Sequence, residues 1–137
     1  MKIPLVNLPR QYASIKPAID SAISRVLHRT DFILGDDVLK FETEFAQFTG
    51  SKYCVSCASG TDAIKLMLMA TGVKPQDEVI VQANTFIATV LPILELGATP
   101  VLVDCDEKNG QIDVEKVKRA ITAKTKFILP GHLYGHA

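Results

Sequence analysis

From Lys52 onward the chain alternates short apolar runs with segments of helical periodicity, and no other feature restricts its fold so tightly. Tyr53–Cys57, Glu78–Val81, Pro100–Val103 and Lys126–Leu129 read as strands. Between them lie a helix expected from Thr61 to Thr71, a helix-like run from Thr85 to Leu96, and a helix capped by Asp113 that ends near Thr122. Apolar strands separated by helices predict an α/β fold, a mostly parallel sheet covered on both faces. In the first of these helices only Asp62, Lys65 and Thr71 are clearly polar, so it is expected to be mostly buried. Pro92 inside the second run implies a late helix start or a kink.

The first fifty residues follow another pattern. Residues 1–10 carry two prolines and read as an extended arm. From Gln11 to Arg29, Ile15, Ile19, Ala22, Ile23, Val26 and Leu27 make one apolar helical face. Thr30–Gly35 breaks that helix. A second follows with Val38, Phe41, Phe45 and Phe48 on one face and Gly50 as its stop. The organisation expected is therefore an arm with helices over 1–50 and an alternating strand–helix region over 51–137.

Composition excludes several classes of function. Hydrophobic residues make up 47% of the 137, enough for a real core and too many for a disordered chain. Fifteen basic and fifteen acidic side chains cancel, so no global field recruits nucleic acid or an anionic membrane. No apolar run is long enough to span a bilayer, and the start lacks the apolar core of a secretion signal, so a cytoplasmic protein is expected. The three cysteines form a poor disulfide framework. Cys54 and Cys57 match C-x-x-C, but Cys54 lies in a strand-like run rather than at a helix N-terminus, and no second pair completes a zinc site.

In sheets of this kind ligands bind beyond the carboxyl ends of the strands. That edge is expected to comprise Ala58–Asp62, Gln82–Phe86, Asp104–Asp106 and Gly131–Gly135. Ser56-Cys57-Ala58-Ser59-Gly60-Thr61-Asp62 passes from an apolar run through small residues into a helix. Such a turn is either an ordinary capped β–α connection or an anion site, where free N–H groups and the helix dipole face a phosphate. Gly60 permits close backbone approach and Thr61 adds a hydroxyl. Phe86, on the next loop, is either core or an aromatic face for a flat ring beside that anion. Asp104-Cys105-Asp106 is either a solvated strand end or a D-x-D metal ligand of the kind some sugar-nucleotide transferases use. His132 and His136 stand four apart, but Gly131 and Gly135 favour a loop there. Zincin, dinucleotide, P-loop and nucleophile-elbow signatures are absent.

Taken together, these segments resemble the pyridoxal-phosphate-dependent nucleotide-sugar aminotransferases of the DegT/StrS type. The similarity runs through Ile3-Pro4-Leu5-Val6-Asn7-Leu8 with Gln11-Tyr12, Phe32-Ile33-Leu34-Gly35 and Phe41-Glu42-Thr43-Glu44-Phe45. It continues in Ala58-Ser59-Gly60-Thr61-Asp62-Ala63, Asp77-Glu78-Val79-Ile80, Asn84-Thr85-Phe86-Ile87-Ala88-Thr89, Gly97-Ala98-Thr99-Pro100-Val101 and His132-Leu133-Tyr134-Gly135. Their order and spacing carry the specificity. Ala58 where asparagine is common and His136 where glutamine is common are tolerable variations.

The resemblance implies the N-terminal part of the large domain of an aspartate-aminotransferase-like (type I) fold. It implies pyridoxal 5'-phosphate as cofactor, with Gly60, Thr61 and Asp62 at its phosphate and Phe86 stacked on its ring. It also implies a nucleotide-linked keto sugar and an amino-acid donor, usually glutamate, as substrates. Tyr12, Phe32 and Gly35 are placed near the nucleotide sugar by their position in family-like segments. The Asn84–Thr89 version is most similar to members acting on 3-keto sugars. No metal is implied. The family's Schiff-base lysine lies downstream of the segments matched here, and Lys65, Lys74, Lys124 and Lys126 do not look like substitutes, so no catalytic residue is assigned. A sheet cut after its first strands has an open edge, so a homodimer or pairing with a C-terminal portion is expected. A non-catalytic binding or assembly module of the same fold is the alternative reading, followed by a metal-dependent sugar-nucleotide transferase using Asp104 and Asp106.

Overall fold

The computed structural model describes residues 3–4 and 6–135. The chain divides into two units, Met1–Ser56 and Cys57–Ala137.

The first unit holds two helices, α1 (Leu8–Arg29) and α2 (Asp36–Thr49). Asn7 starts α1, its Oδ1 accepting the Arg10 N–H at 3.1 Å, with Pro9 in the first turn where its missing N–H costs nothing. Pro17 lies inside the helix without ending it. His28 and Arg29 occupy the last turn, where the dipole favours cations, and Thr30 closes the helix at φ 55°. In the turn that follows, Leu34 has φ 48°, the left-handed region a branched side chain enters rarely. Arg29 bridges that turn to α2, pairing with Asp31 at 3.0 Å and with Asp37. Gly50 ends α2 at φ 68°, and the Ser51 N–H returns to the Ala46 carbonyl at 3.0 Å.

The second unit is built on three parallel strands, β1 (Glu78–Gln82), β2 (Thr99–Val103) and β3 (Thr125–Leu129), in the order β2-β1-β3. Glu78–Gln82 pairs residue for residue with Thr99–Val103, while the pairing with β3 shifts between Glu78 and Val79. Alternation along β1 sends Val79 and Val81 to one face and Ile80 and Gln82 to the other. The first face packs against Leu68 of α3 (Gly60–Ala70) and Ile93 of α4 (Leu91–Glu95), with Ala98. The second packs Ile80 and Val103 against Val117 of α5 (Val114–Ala120). Helices thus cover both faces of a parallel sheet, as the alternation predicts. Full burial of Ile80 alone contributes about 1.5–3 kcal/mol.

Two expectations need correction, and the 85–96 run takes one of its two expected forms. Tyr53–Cys57 forms no strand and pairs with none among the described residues. An apolar run selects extended backbone, but a ladder needs a partner edge. In the 85–96 run the late helix start is the form realised. A 3₁₀ turn, Ile87–Thr89, precedes α4, which starts late and holds Pro92 in its first turn, where the missing N–H costs nothing. Finally, α3 is not mostly buried. Leu68 is enclosed, yet Leu66, Met67 and Met69 are about half exposed (50%, 47% and 53%), since the sheet covers only one stripe of the helix. Asp113 does cap α5, accepting the N–H groups of Glu115 and Lys116 at 2.9 and 3.0 Å.

Candidate functional site

The small-residue turn before α3 is built around Ser59. Its backbone is extended, and its Oγ accepts the Asp62 N–H at 3.1 Å while donating to Asp62 Oδ2 at 2.9 Å. Ser59 Oγ thus caps one N–H of the helix, and the Asp62 carboxylate holds the serine hydroxyl in place. The Ala63 N–H goes to the Ser59 carbonyl at 3.0 Å. That leaves the N–H groups of Gly60 and Thr61 without a protein partner among the described residues, together with the Thr61 hydroxyl. These donors lie at the positive end of an eleven-residue helix, and nothing lies within 4 Å of where a Gly60 side chain would begin. Asp62 differs from its two neighbours. Its N–H is already used and its carboxylate faces Ser59.

The next loop presents Phe86. It precedes the 3₁₀ turn, its carbonyl accepting the Thr89 N–H at 2.9 Å, and the Thr85 and Thr89 hydroxyls lie 3.1 Å apart. Phe86 is 69% exposed, so its side chain takes no part in the core of this unit. Because α3 packs against both this 3₁₀ turn and α4, the phosphate-type turn and the aromatic loop belong to neighbouring elements.

Two further loops join that edge. Asp106–Gln111 closes on itself: Asp106 N–H to the Gln111 carbonyl at 2.8 Å, Gly110 N–H to the Asp106 carbonyl at 2.9 Å, and Asp106 Oδ1 on the Lys108 N–H at 2.8 Å. Gly110 has φ 69°, and a side chain there would meet the Tyr134 ring at 3.0 Å. Gly131 likewise leaves only 3.0 Å between a side-chain carbon and Thr85 Oγ1. His132 Nδ1 lies 3.1 Å from Gln111 Oε1. His136 lies outside the described residues. The 82–86, 106–111 and 131–135 loops thus meet at the carboxyl end of the strands. Among them, composition and motifs did not single out Gln82, Gly110 and Gln111. The available signal was Gln82 itself, a polar residue closing the apolar run 79–81.

The D-x-D carboxylates are both engaged. Asp104 accepts the Cys105 N–H at 2.9 Å and pairs with Lys116 at 3.4 Å, and these hold its carboxyl below the usual range. Asp113 is lowered too, by the backbone N–H of Lys116 and then that of Glu115. All three cysteines are free thiols, and no group of three or more metal-ligating side chains occurs among the described residues. In the first unit, Glu42 accepts both the N–H and the hydroxyl of Ser56 at 2.7 and 2.8 Å, which lowers its carboxyl.

Tyr12, Phe32 and Gly35 all belong to the first unit. Tyr12 is on α1 with Lys16 Nζ 5.6 Å from its ring centre, and Phe32 is 63% exposed in the turn before α2. Gly35 is the cap residue of α2 and admits no side chain, since a Cβ would stand 2.4 Å from the Asp31 carbonyl. Among the described residues no helix is long and apolar enough to cross a membrane.

Known proteins are similar to this chain in sequence and fold. UDP-2-acetamido-2-deoxy-3-oxo-D-glucuronate aminotransferase of Pseudomonas aeruginosa is 46% identical over 133 residues, covering 97% of this chain and 37% of that protein. UDP-N-acetyl-3-dehydro-alpha-D-glucosamine 3-aminotransferase of Acidithiobacillus ferrooxidans is 44% identical, with 97% and 36% covered. Among solved structures, S. venezuelae DesV in complex with a ketimine intermediate superposes with a TM-score of 0.92 at 40% identity over 99% of this chain and 37% of that one. Bacillus subtilis NtdA with bound PMP gives 0.91 at 38% identity, covering 99% and 32%. This chain therefore spans about a third of the length of the relatives it matches. The model of the DegT/DnrJ/EryC1/StrS aminotransferase family matches residues 13–137, and the chain belongs to that family.

Proposed function

We propose that these residues form the cofactor-holding segment of a pyridoxal-phosphate-dependent aminotransferase that aminates the keto carbon of a nucleotide-linked sugar, with glutamate as donor. The observation that carries this reading is the pairing of two open N–H groups at the head of α3 with the exposed Phe86 ring on the neighbouring loop. The donor set fits the cofactor. Gly60 and Thr61 N–H groups and the Thr61 hydroxyl suit a phosphate, and Phe86 offers its face to a planar ring. Asp62 acts from behind by locking Ser59. Pyridoxal phosphate, when bound, supplies the electron sink that amino transfer requires. The chain's own contribution is to bind and orient it.

The 3-keto position is favoured by the Asn84–Thr89 segment and by the similarity to proteins named for 3-oxo, 3-dehydro and 3-amino sugars. Incubation with glutamate and UDP- or dTDP-linked 3-keto and 4-keto sugars tests it: 2-oxoglutarate should form faster with the 3-keto substrates. Tyr12 and Phe32 offer aromatic faces suited to the nucleotide, with Gly35 at the turn before α2. Tyr12→Ala and Phe32→Ala should raise KM for the sugar and leave cofactor uptake unchanged.

The second reading, a non-catalytic binding or assembly module, is favoured by the exposed Leu66, Met67 and Met69 of α3. Intact mass from the native source, after pyridoxal phosphate and borohydride, separates the two. A reduced adduct at one lysine selects the aminotransferase, and no site-specific adduct selects the module.

A further inference from the structure

Gln82 ends β1, and its side chain has no exposed surface. Its Nε2 donates to the Asn84 carbonyl at 3.0 Å and to the Gly110 carbonyl at 2.8 Å. Because both partners are acceptors, the amide can point only one way. Its Oε1 is then left buried with no partner among the described residues. An apolar side chain would complete the strand without that orphaned oxygen, but would strand two carbonyls. The glutamine joins two pieces that no other hydrogen bond between described residues connects directly. One is Asn84, two residues before Phe86. The other is the self-bonded 106–111 turn, which is further tied to His132 through Gln111 and covered by Tyr134.

We propose that Gln82 is a positioning residue: by bolting the Asn84 carbonyl to the 106–111 turn it sets where Phe86 meets the cofactor ring, without touching cofactor or substrate. The inference rests on the cofactor reading above and adds a second half to it. The phosphate is held from α3, whereas the ring is held through a loop whose place is fixed from β1.

The test uses the protein expressed from its native gene at its native length, as wild type, Gln82→Met and Gly110→Ala. Methionine keeps length and apolar volume but donates nothing. Alanine at Gly110 disturbs the far acceptor from an outer loop, through φ 69° and the Tyr134 ring, and carries the test should the β1 variant not fold. Three quantities are read: pyridoxal phosphate affinity, the induced circular dichroism of the bound cofactor, and competition by inorganic phosphate. Loss of the two hydrogen bonds should weaken cofactor binding about tenfold and diminish the induced signal. Inhibition by inorganic phosphate should stay at the wild-type level, because its donors lie on α3. Wild-type affinity and dichroism in both variants would overturn the role while the cofactor reading stood. Equal loss of phosphate and ring binding would also overturn it, making Gln82 a support of the fold only. A wild-type protein that takes up no pyridoxal phosphate would remove the cofactor reading itself, and this role with it.

Discussion

Ser59 and Asp62 hold each other at the head of α3: the serine Oγ accepts the aspartate N–H at 3.1 Å and donates to its carboxylate at 2.9 Å. The turn that leaves the Gly60 and Thr61 N–H groups open depends on this pair. Ser59→Ala should destabilise the protein by about 1 kcal/mol, the usual loss for an N-cap, measured as a lower urea midpoint with unchanged m-value. Pyridoxal phosphate affinity should fall with it, because the open donors lose their fixed direction.

Phe86 and Ile80 should separate binding from stability. The Phe86 ring is 69% exposed, so Phe86→Ala should move stability by no more than about 0.5 kcal/mol. Cofactor affinity should drop by up to about tenfold through loss of ring stacking. Ile80 is fully buried between β1 and α5, and Ile80→Ala should cost about 2–5 kcal/mol. Thermal melts with a cofactor titration on each variant read both quantities. A Phe86 variant that lost stability and kept affinity would return that ring to the core.

Gly35 is needed for space rather than for backbone freedom. Its φ is −71°, which any residue adopts, but a Cβ would stand 2.4 Å from the Asp31 carbonyl. Gly35→Ala must push the Phe32 turn away from α2 and should cost about 1–3 kcal/mol, as overpacking does. Differential scanning calorimetry against wild type checks it.

Acid should unfold the protein partly through three carboxylates. Glu42, held by Ser56, Asp104, held by the Cys105 N–H and Lys116, and Asp113, held by the Lys116 N–H, all have lowered folded-state pKa values. A depressed carboxyl contributes stability that is present above its unfolded value, about 4.3 for Glu and 3.9 for Asp, and is lost as pH falls through the folded value. Glu42→Gln should therefore flatten the acid limb of the stability–pH curve and leave the neutral-to-alkaline slope unchanged. Urea midpoints across pH 3–7 measure this, a range spanning roughly those carboxyl values.

What the sequence by itself determined was local. Periodicity marked three paired strands and most helices, Asp113 and Gly50 announced their caps, and small residues before an apolar helix announced open N–H groups at Gly60 and Thr61. These signals work because capping, alternation and left-handed turns act within a few residues. Tertiary structure decided the rest. Whether Tyr53–Cys57 finds a ladder, how much of α3 is covered, and that β1 lies between β2 and β3 all depend on which surfaces meet. The same holds for Gln82, whose carbonyl partners lie two and twenty-eight residues away. A side chain's local sequence specifies the donor it carries; only the packed sheet edge brings the distant acceptor within reach.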